Sequence, residues 1–259
     1  MKKLYCCGDS FTSEDYYSKR YECGLSTCWP TILKQKLGEN WQLYNGAYCG
    51  ASNNFIIRDF FNYTAVHGNP DLVCIAWSAA TRFSIYNGSY NPTGFTRDWA
   101  LDPISHYNAF VSGDNKYKKI EPSAVELGRH IVEDNLWIRY MEKAVNDWLT
   151  HIFVIQNYCD SHNIKYIFAQ AINPITFIKV GYNNKHMKQV IDYTINSPLM
   201  NLINEERFIR WPAFKAIGGN TLADLTRNTE MAFGHKDSHP NDKGHKMIAE
   251  VYYDNYIRV

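Results

Sequence analysis

The 259-residue chain is 45% hydrophobic and 20% charged, a composition that excludes an intrinsically disordered protein. Its 27 basic and 26 acidic residues give a net charge of +1, so the overall charge provides no basis for binding nucleic acid or an anionic membrane. We therefore expect a single α/β domain over residues 1–259.

Strand-like and helix-like stretches alternate along the chain. Strands are predicted at 3–7, 41–47, 70–77, 164–172 and, as a fifth, 206–211; helices are predicted at 28–38, 53–68, 135–163 and about 241–256. Pro30 suits the first turn of the first helix and Gly38 its end, and Asn53 is predicted to cap the second helix. The alternation predicts a parallel sheet covered by helices on both faces.

Residues 87–130 interrupt this alternation because they are rich in Asn, Gly, Ser, Tyr and Pro and show weak periodicity. One interpretation is a surface excursion. The interpretation we favour is a lid over the strand ends, with an aromatic wall formed by Tyr90, Phe95, Trp99 and Tyr107.

The cysteine pattern favours reduced thiols in the cytoplasm. The chain has seven cysteines, an odd number, and no second pair repeats the spacing of Cys23 and Cys28, so no metal site is predicted. Cys6 and Cys7 are adjacent in the first predicted strand, whose alternation would point them to opposite faces. We see no secretory signal and no apolar run long enough to span a membrane.

The first strand ends at Gly8-Asp9-Ser10, where active sites form in parallel sheets. Taken alone, this segment favours a serine that caps the turn or the helix after the first strand, and Asp9 is interpreted as holding that turn. A serine nucleophile needs a base with an orienting partner. His239, with Asp237 two residues before it, supplies that pair just before the last helix; the alternative is that both serve only the start of that helix. His235 and His245 are interpreted as surface or packing residues.

Three segments in this order, "GDSFT", "NGAYCGASNN" and "DSHPNDKGH", resemble the SGNH/GDSL hydrolase family over nearly the whole chain. The resemblance implies a three-layer α/β/α flavodoxin-like sandwich with a roughly five-stranded parallel sheet. It also implies that Ser10 is the nucleophile, His239 the general base and Asp237 the acid. The main-chain N–H groups of Ser10 and Gly50 would form the oxyanion hole. The segments "WSAATR" and "GASNN" also resemble SGNH-type proteins of bacteriophages, which would make a virion location the alternative to the cytoplasm.

Two positions depart from the family pattern. The acid usually lies three residues before the histidine, where this chain has Lys236. The family's usual Gly-x-Asn-Asp segment after the third strand supplies an oxyanion-hole Asn, and Ala80 stands at that position.

Four residues near these departures are candidates for other roles at the site. Ser78 and Asn53 are predicted to replace the missing Asn as oxyanion donors, ahead of Arg82. Arg82 either pairs with a nearby acid or binds an anionic substrate group, and both interpretations stay open. Trp77 is a further candidate for contacting substrate.

The expected function is hydrolysis of a carboxylic ester through an acyl-enzyme on Ser10. The expected substrate is a small-molecule or carbohydrate ester, and a short acyl group is favoured over a long lipid chain, with carbohydrate O-deacetylation as one case. The expected chemistry needs no cofactor and no metal. The alternative is a weak or inactive SGNH domain that binds glycans or serves in phage assembly. A nucleotide-binding protein is not favoured, because no glycine-rich phosphate motif follows the first strand.

Overall fold

A parallel sheet lies at the centre of the computed structural model, which describes residues 1–14, 28–85, 99–101, 130, 137–175, 184–227, 229–234 and 237–258. The strands are β1 (Lys2–Gly8), β2 (Trp41–Asn45), β3 (Leu72–Trp77), β4 (Phe83–Ile85), β5 (Trp99–Leu101), β6 (Lys165–Gln170), β7 (Ala232–Gly234) and β8 (Asp237–Pro240). The central sheet has the order β2-β1-β3-β6 with every pair parallel, and β4-β5 and β7-β8 form antiparallel pairs.

Helices cover both faces of this sheet. They are α1 (Trp29–Leu37), α2 (Asn53–His67), α3 (Trp137–Ser161), α4 (Asn184–Ile195), α5 (Leu222–Thr226) and α6 (Asp242–Arg258), with 3₁₀ turns at Pro198–Leu202, Glu205–Arg207 and Lys215–Ile217. The α2 and α3 helices pack on one face, and α1 and α6 pack on the other. The predicted three-layer α/β/α arrangement is therefore confirmed.

The alternation of side chains along β1 builds both hydrophobic layers at once. Tyr5 and Cys7 are buried beneath α2 and α3, whereas Leu4 and Cys6 are buried beneath α1 and α6. The two adjacent cysteines thus point to opposite faces, as predicted. Since both faces are covered, β1 and β3 read in the sequence as continuous apolar runs.

The first two helices begin and end for local reasons. Pro30 lies in the first turn of α1, and Gly38 ends it with a φ of 101°, in the region that favours glycine. The prediction that Asn53 caps α2 is wrong, because the cap is Ser52, whose hydroxyl accepts the N–H of Phe55 at 3.2 Å. Asn53 is the first helical residue instead.

The predicted fifth strand at 206–211 is also wrong. Residues Glu205–Arg207 form a 3₁₀ turn, and the segment touches the sheet through one parallel bridge between Phe208 and Phe168. Arg210 has a φ of 58° and Pro212 has no N–H to donate, so the backbone cannot continue as a strand. The described sheet consequently has four strands.

Most of the predicted lid lies outside the described residues, including Tyr90, Phe95 and Tyr107. Within 87–130, the structure describes the backbone of β5, which pairs with β4 in the register Phe83 to Leu101, and His130. The assignment of this segment as a lid, and of 1–259 as one domain, stays a prediction. Among the helices described, none has the length and apolar character needed to cross a membrane.

Candidate active site

A tight turn at the carboxyl end of β1 presents Ser10. The carbonyl of Asp9 accepts the N–H groups of Thr12 at 2.9 Å and Ser13 at 3.1 Å, which folds the chain back directly after the strand. A Cβ at Gly8 would lie 2.4 Å from the Thr12 hydroxyl and 2.8 Å from the Ala76 carbonyl, so only glycine fits there. Ser10 is 6% exposed.

The carboxylate of Asp9 anchors this turn to the loop after β3. One oxygen, Oδ1, accepts the N–H of Phe11 at 3.0 Å. The other, Oδ2, accepts the Ser78 hydroxyl at 2.9 Å and Nη1 of Arg82 at 3.0 Å. Asp9 is fully buried, and these three donors compensate its charge. The structural role predicted for Asp9 is confirmed, and of the two interpretations of Arg82 the ion pair is the one observed.

His239 approaches Ser10 from the other end of the chain. The Oγ of Ser10 lies 2.8 Å from Nε2 of His239, although 229 residues separate them in sequence. The imidazole lies on β8, in the β7–β8 hairpin that precedes α6, and stacks on the ring of Phe11 with centroids 4.8 Å apart. The stacking and the hairpin together fix the plane and position of the ring.

Asp237 completes a continuous chain of hydrogen bonds. Its Oδ1 lies 2.5 Å from Nδ1 of His239 and also accepts the main-chain N–H of His239 at 3.1 Å. A carboxylate at Nδ1 favours the tautomer with the proton there, which leaves the Nε2 lone pair for the Ser10 hydroxyl. The two-residue spacing works because both residues lie on β8, and residues i and i+2 of a strand share one side.

Gly50 lies in a turn that runs beside the turn that holds Ser10. The N–H of Tyr48 donates to the carbonyl of Gly8 at 3.2 Å, and the N–H of Ala51 donates back to Tyr48 at 3.0 Å. Gly50 has a φ of 78°, and a Cβ there would meet nothing within 4 Å. Its backbone conformation therefore selects glycine, with open space above it.

The side chains of Asn53 and Ser78 both form hydrogen bonds within the protein, near the loop after β3. The Asn53 carbonyl accepts the Ser78 N–H at 2.9 Å, and its amide donates to the carbonyls of Ser78 at 3.2 Å and Ala79 at 3.4 Å. The Ser78 hydroxyl donates to Asp9. Both side chains are buried, so these bonds weigh against their predicted use as oxyanion donors.

Ala80 and Trp77 complete the account of this loop. The main-chain N–H of Ala80 donates to the Pro174 carbonyl at 2.8 Å, and its methyl side chain offers no donor. Trp77 is fully buried and packs edge-on against Phe168, with ring centroids 5.7 Å apart. The prediction that Trp77 contacts substrate is therefore corrected, because its ring lies in the core.

Gln170, at the end of β6, is a residue that the sequence analysis missed. Its amide donates to the carbonyls of Ser78 and Ile172, both at 2.8 Å, while its carbonyl accepts the indole N–H of Trp148 at 3.1 Å. Gln170 thus holds the loop after β3 in place by linking it to Trp148 on α3. A polar residue ending an apolar strand was the available signal.

Two buried titratable groups support the site from opposite sides. Burial, with a smaller contribution from His239, lowers the pKa of His245 to about 3, and its Nδ1 accepts the N–H of Trp29 at 3.3 Å. His245 is thus a packing residue beneath the turn that holds Ser10. His235 and Lys236 lie outside the described residues.

On the other side, Asp59 lies against the loop that leads to Gly50. It accepts the Tyr5 hydroxyl at 2.8 Å, and a Cβ at Gly46 would lie 1.9 Å from its Oδ2. Burial raises the pKa of Asp59 to about 6. In the described parts of the chain, no three His, Cys, Asp or Glu side chains converge as a metal site.

Comparison with known proteins gives a family and a fold. A family model described as a family of unknown function (DUF6071) matches residues 12–259. The psychrotrophic esterase EstA from Pseudoalteromonas sp. aligns with a TM-score of 0.50 and 11% identity, over 100% of this chain and 98% of that one. No functionally curated protein matches the chain.

Two further solved structures align with lower scores. The acetylxylan esterase Axe2 from Geobacillus stearothermophilus gives a TM-score of 0.45 at 13% identity, covering 98% of this chain and 93% of that one. A putative GDSL-like lipase from Parabacteroides merdae gives 0.46 at 12% identity, covering 98% and 94%. The chain has the SGNH/GDSL hydrolase fold, and it belongs to the family of unknown function DUF6071.

Proposed function

We propose that the protein is a serine ester hydrolase with Ser10 as nucleophile. The observation that carries the proposal is the hydrogen-bond chain from the Ser10 hydroxyl through the imidazole of His239 to the carboxylate of Asp237. A serine hydroxyl becomes nucleophilic when a base takes its proton and a third group orients that base. These side chains have the geometry for both tasks.

In the proposed mechanism, Nε2 of His239 takes the proton of Ser10 as Oγ attacks the ester carbonyl. Asp237 stabilises the imidazolium that forms. The imidazolium then gives the proton to the departing alcohol, leaving an acyl group on Ser10. Water, activated by the same nitrogen, hydrolyses the acyl-enzyme.

The oxyanion of the tetrahedral intermediate is proposed to bind the main-chain N–H groups of Ser10 and Gly50. The left-handed conformation of Gly50, and the bond that ties its turn to Gly8, support this assignment. With Ala80 in place of the family's Asn, the proposed hole rests on main-chain donors. Losing one side-chain donor costs about 100-fold to 1,000-fold in rate, so we expect slow turnover.

The proposed substrate is an ester with a short acyl group, of which an O-acetyl group on a carbohydrate is one case. The support is the composition of residues 87–130, where polar and aromatic residues predominate and the apolar flap typical of a lipase is missing from the sequence.

The test compares hydrolysis of p-nitrophenyl acetate by the wild type and by Ser10→Ala. We expect hydrolysis by the wild type and its loss in Ser10→Ala. Ser13→Ala is the matched control, because Ser13 is a buried serine of the same turn. A fluorophosphonate probe should label the wild type and Ser13→Ala on Ser10, identified by mass spectrometry. Equal rates for wild type and Ser10→Ala would mean that the nucleophile is assigned wrongly.

A second candidate is a catalytically weak SGNH domain that binds glycans. The observation that favours it is the loop after β3, where Ala80 offers no side-chain donor and Ser78 and Asn53 are bound to other groups. Absence of labelling at high probe concentration, together with binding on a glycan array, would favour this candidate. A role in phage assembly stays a prediction from the sequence.

A further inference from the structure

The guanidinium of Arg82 uses only one of its three nitrogens in bonds to the described protein. Nη1 donates to Asp9 Oδ2 at 3.0 Å and to the Ser78 hydroxyl at 2.9 Å. A guanidinium carries five N–H groups, two of them on each terminal nitrogen. The three N–H groups on Nη2 and Nε therefore meet no acceptor among the described residues.

The orientation of Arg82 is set by buried partners. Asp9 is fully buried, and the Ser78 hydroxyl donates to Asp9 while accepting from Arg82, so all the bonds are consistent in direction. The Arg82 side chain is 24% exposed, whereas that of Asp9 is not exposed at all. The edge formed by Nη2 and Nε, which has no acceptor among the described residues, is the free edge of the guanidinium. It thus belongs to a side chain that is fixed in orientation and partly accessible to solvent.

This group lies at the same edge of the sheet as the proposed nucleophile. Arg82 follows β3, and β3 pairs with β1 up to Gly8 and Ala76, so the two strands end at the same edge of the sheet. Asp9, which Arg82 holds, immediately precedes Ser10. A ligand that reaches Ser10 from the carboxyl ends of the strands therefore comes near the guanidinium.

The chemistry of the free edge favours a carboxylate. Because Asp9 already balances the charge of Arg82, long-range attraction is small, and recognition depends on paired N–H groups. Two parallel N–H donors of a guanidinium match the two oxygens of a carboxylate, and such bidentate pairs are among the strong hydrogen bonds of proteins. A neutral ester group has no matching pair of charged oxygens.

We propose that Arg82 recognises a carboxylate on the ligand, so that the site takes esters that carry a carboxylate near the scissile bond. The hydrolytic part of this statement rests on the proposed function, but binding of the carboxylate does not. Arg82 is thus assigned a second task beside holding Asp9.

The first experiment measures binding by calorimetry in Ser10→Ala, which cannot turn the ligand over through Ser10. We expect 4-acetoxybenzoate to bind about ten-fold or more tightly than its methyl ester. The variant Arg82→Lys, added to Ser10→Ala, keeps a cation for Asp9 but has no second edge. This double variant should have a melting temperature near that of Ser10→Ala and should lose the preference for 4-acetoxybenzoate over its methyl ester. The control Arg139→Lys, at an exposed position of α3, should retain that preference.

The second experiment compares kcat/KM of the wild type for carboxylated esters and their methyl esters. The pair based on 4-acetoxybenzoate places the carboxylate on the alcohol half, and phenyl hydrogen adipate places it on the acyl half. A preference for either carboxylated ester that disappears in Arg82→Lys supports the proposal. Equal binding of 4-acetoxybenzoate and its methyl ester, with no preference for either carboxylated ester, overturns it, as does a preference that persists in Arg82→Lys. A binding preference without turnover or labelling of Ser10 contradicts the proposed function and leaves this inference standing.

Discussion

The candidate site has two halves, which we name by their proposed roles: an acid–base half, formed by Ser10, His239 and Asp237, and an oxyanion half, formed by Gly50 and the loop at 78–82. In the acid–base half, each polar side chain faces the next and the chain of bonds leads to the Ser10 hydroxyl. In the oxyanion half, the polar side chains face inward and bind Asp9 or each other. The loop after β3 thus holds the turn that contains Ser10. We therefore expect substitutions in the acid–base half to lower activity and substitutions in the oxyanion half to lower stability.

The largest expected effect is on the acid–base half. His239→Ala should lower kcat for p-nitrophenyl acetate by about 10,000-fold, because it removes the group that is proposed to accept the Ser10 proton. The melting temperature should change little, since His239 is partly exposed on a hairpin. Steady-state kinetics with thermal denaturation checks both values. A variant that keeps its activity would remove His239 from the proposed mechanism.

An effect of similar size is expected for Asp237→Asn, about 10,000-fold in kcat. The amide keeps an oxygen for the His239 N–H but cannot hold the imidazolium by charge, so KM should stay near its wild-type value. Kinetics over a range of ester concentrations separates kcat from KM. If both variants lose the same fraction of kcat, the acid and the base act as one unit.

For the oxyanion half, Asn53→Ala should reduce stability by about 1–3 kcal/mol, because it leaves the buried Ser78 N–H without an acceptor. We expect this loss in chemical denaturation, with kcat changed much less than in the acid–base variants. Asn54→Ala, at the exposed neighbouring position, is the control and should change neither value. A selective fall of kcat at unchanged stability would instead make Asn53 an oxyanion donor.

The contributions of buried His245 and Asp59 to stability should change in opposite directions as the pH falls. Unfolded His245 takes a proton near pH 6.5 but folded His245 only near 3, so its contribution to stability falls by up to about 1.4 kcal/mol per pH unit in that window. Folded Asp59 takes a proton near pH 6 and unfolded Asp59 near 4, so its contribution rises as the pH falls between these values.

Denaturation at several pH values in His245→Asn and Asp59→Asn checks these slopes. His245→Asn should flatten the loss of stability below pH 6.5, and Asp59→Asn should steepen it between pH 6 and 4. Asn54→Ala, at an exposed position without a titratable group, is the control and should leave the slope unchanged. Parallel slopes in both variants would contradict the assignment.

The sequence predicts the elements well where the signal is local and fails where a contact is long-range. The strand predicted at 70–77 is buried over 72–77, and Met141, Val145 and Trp148 form a buried stripe on the helix predicted at 135–163, because period and burial are linked along one element. The segment 206–211 has the apolar content of a strand, but its composition does not reveal the left-handed backbone conformation of Arg210, which ends the extended structure.

Among the site residues, the geometry that brings Ser10 to His239 follows the order of the motifs, which is why it could be anticipated. The partners of Asn53, Ser78 and Gln170 could not, since each depends on which neighbouring loop its side chain meets. A polar residue near a strand end looks the same in the sequence whether it faces a ligand or ties two loops together.

The position of Asp237 and His239 on one short strand has a consequence for how such a site tolerates change. Because a single carboxylate oxygen contacts both the main chain and the ring of a residue two positions on, the pair is assembled by three consecutive residues. An insertion elsewhere in the chain displaces both members together and leaves their mutual geometry intact. Such an insertion changes only the distance between His239 and Ser10. The rest of the chain therefore has to maintain that one distance, because the geometry of the Asp237–His239 pair is set locally.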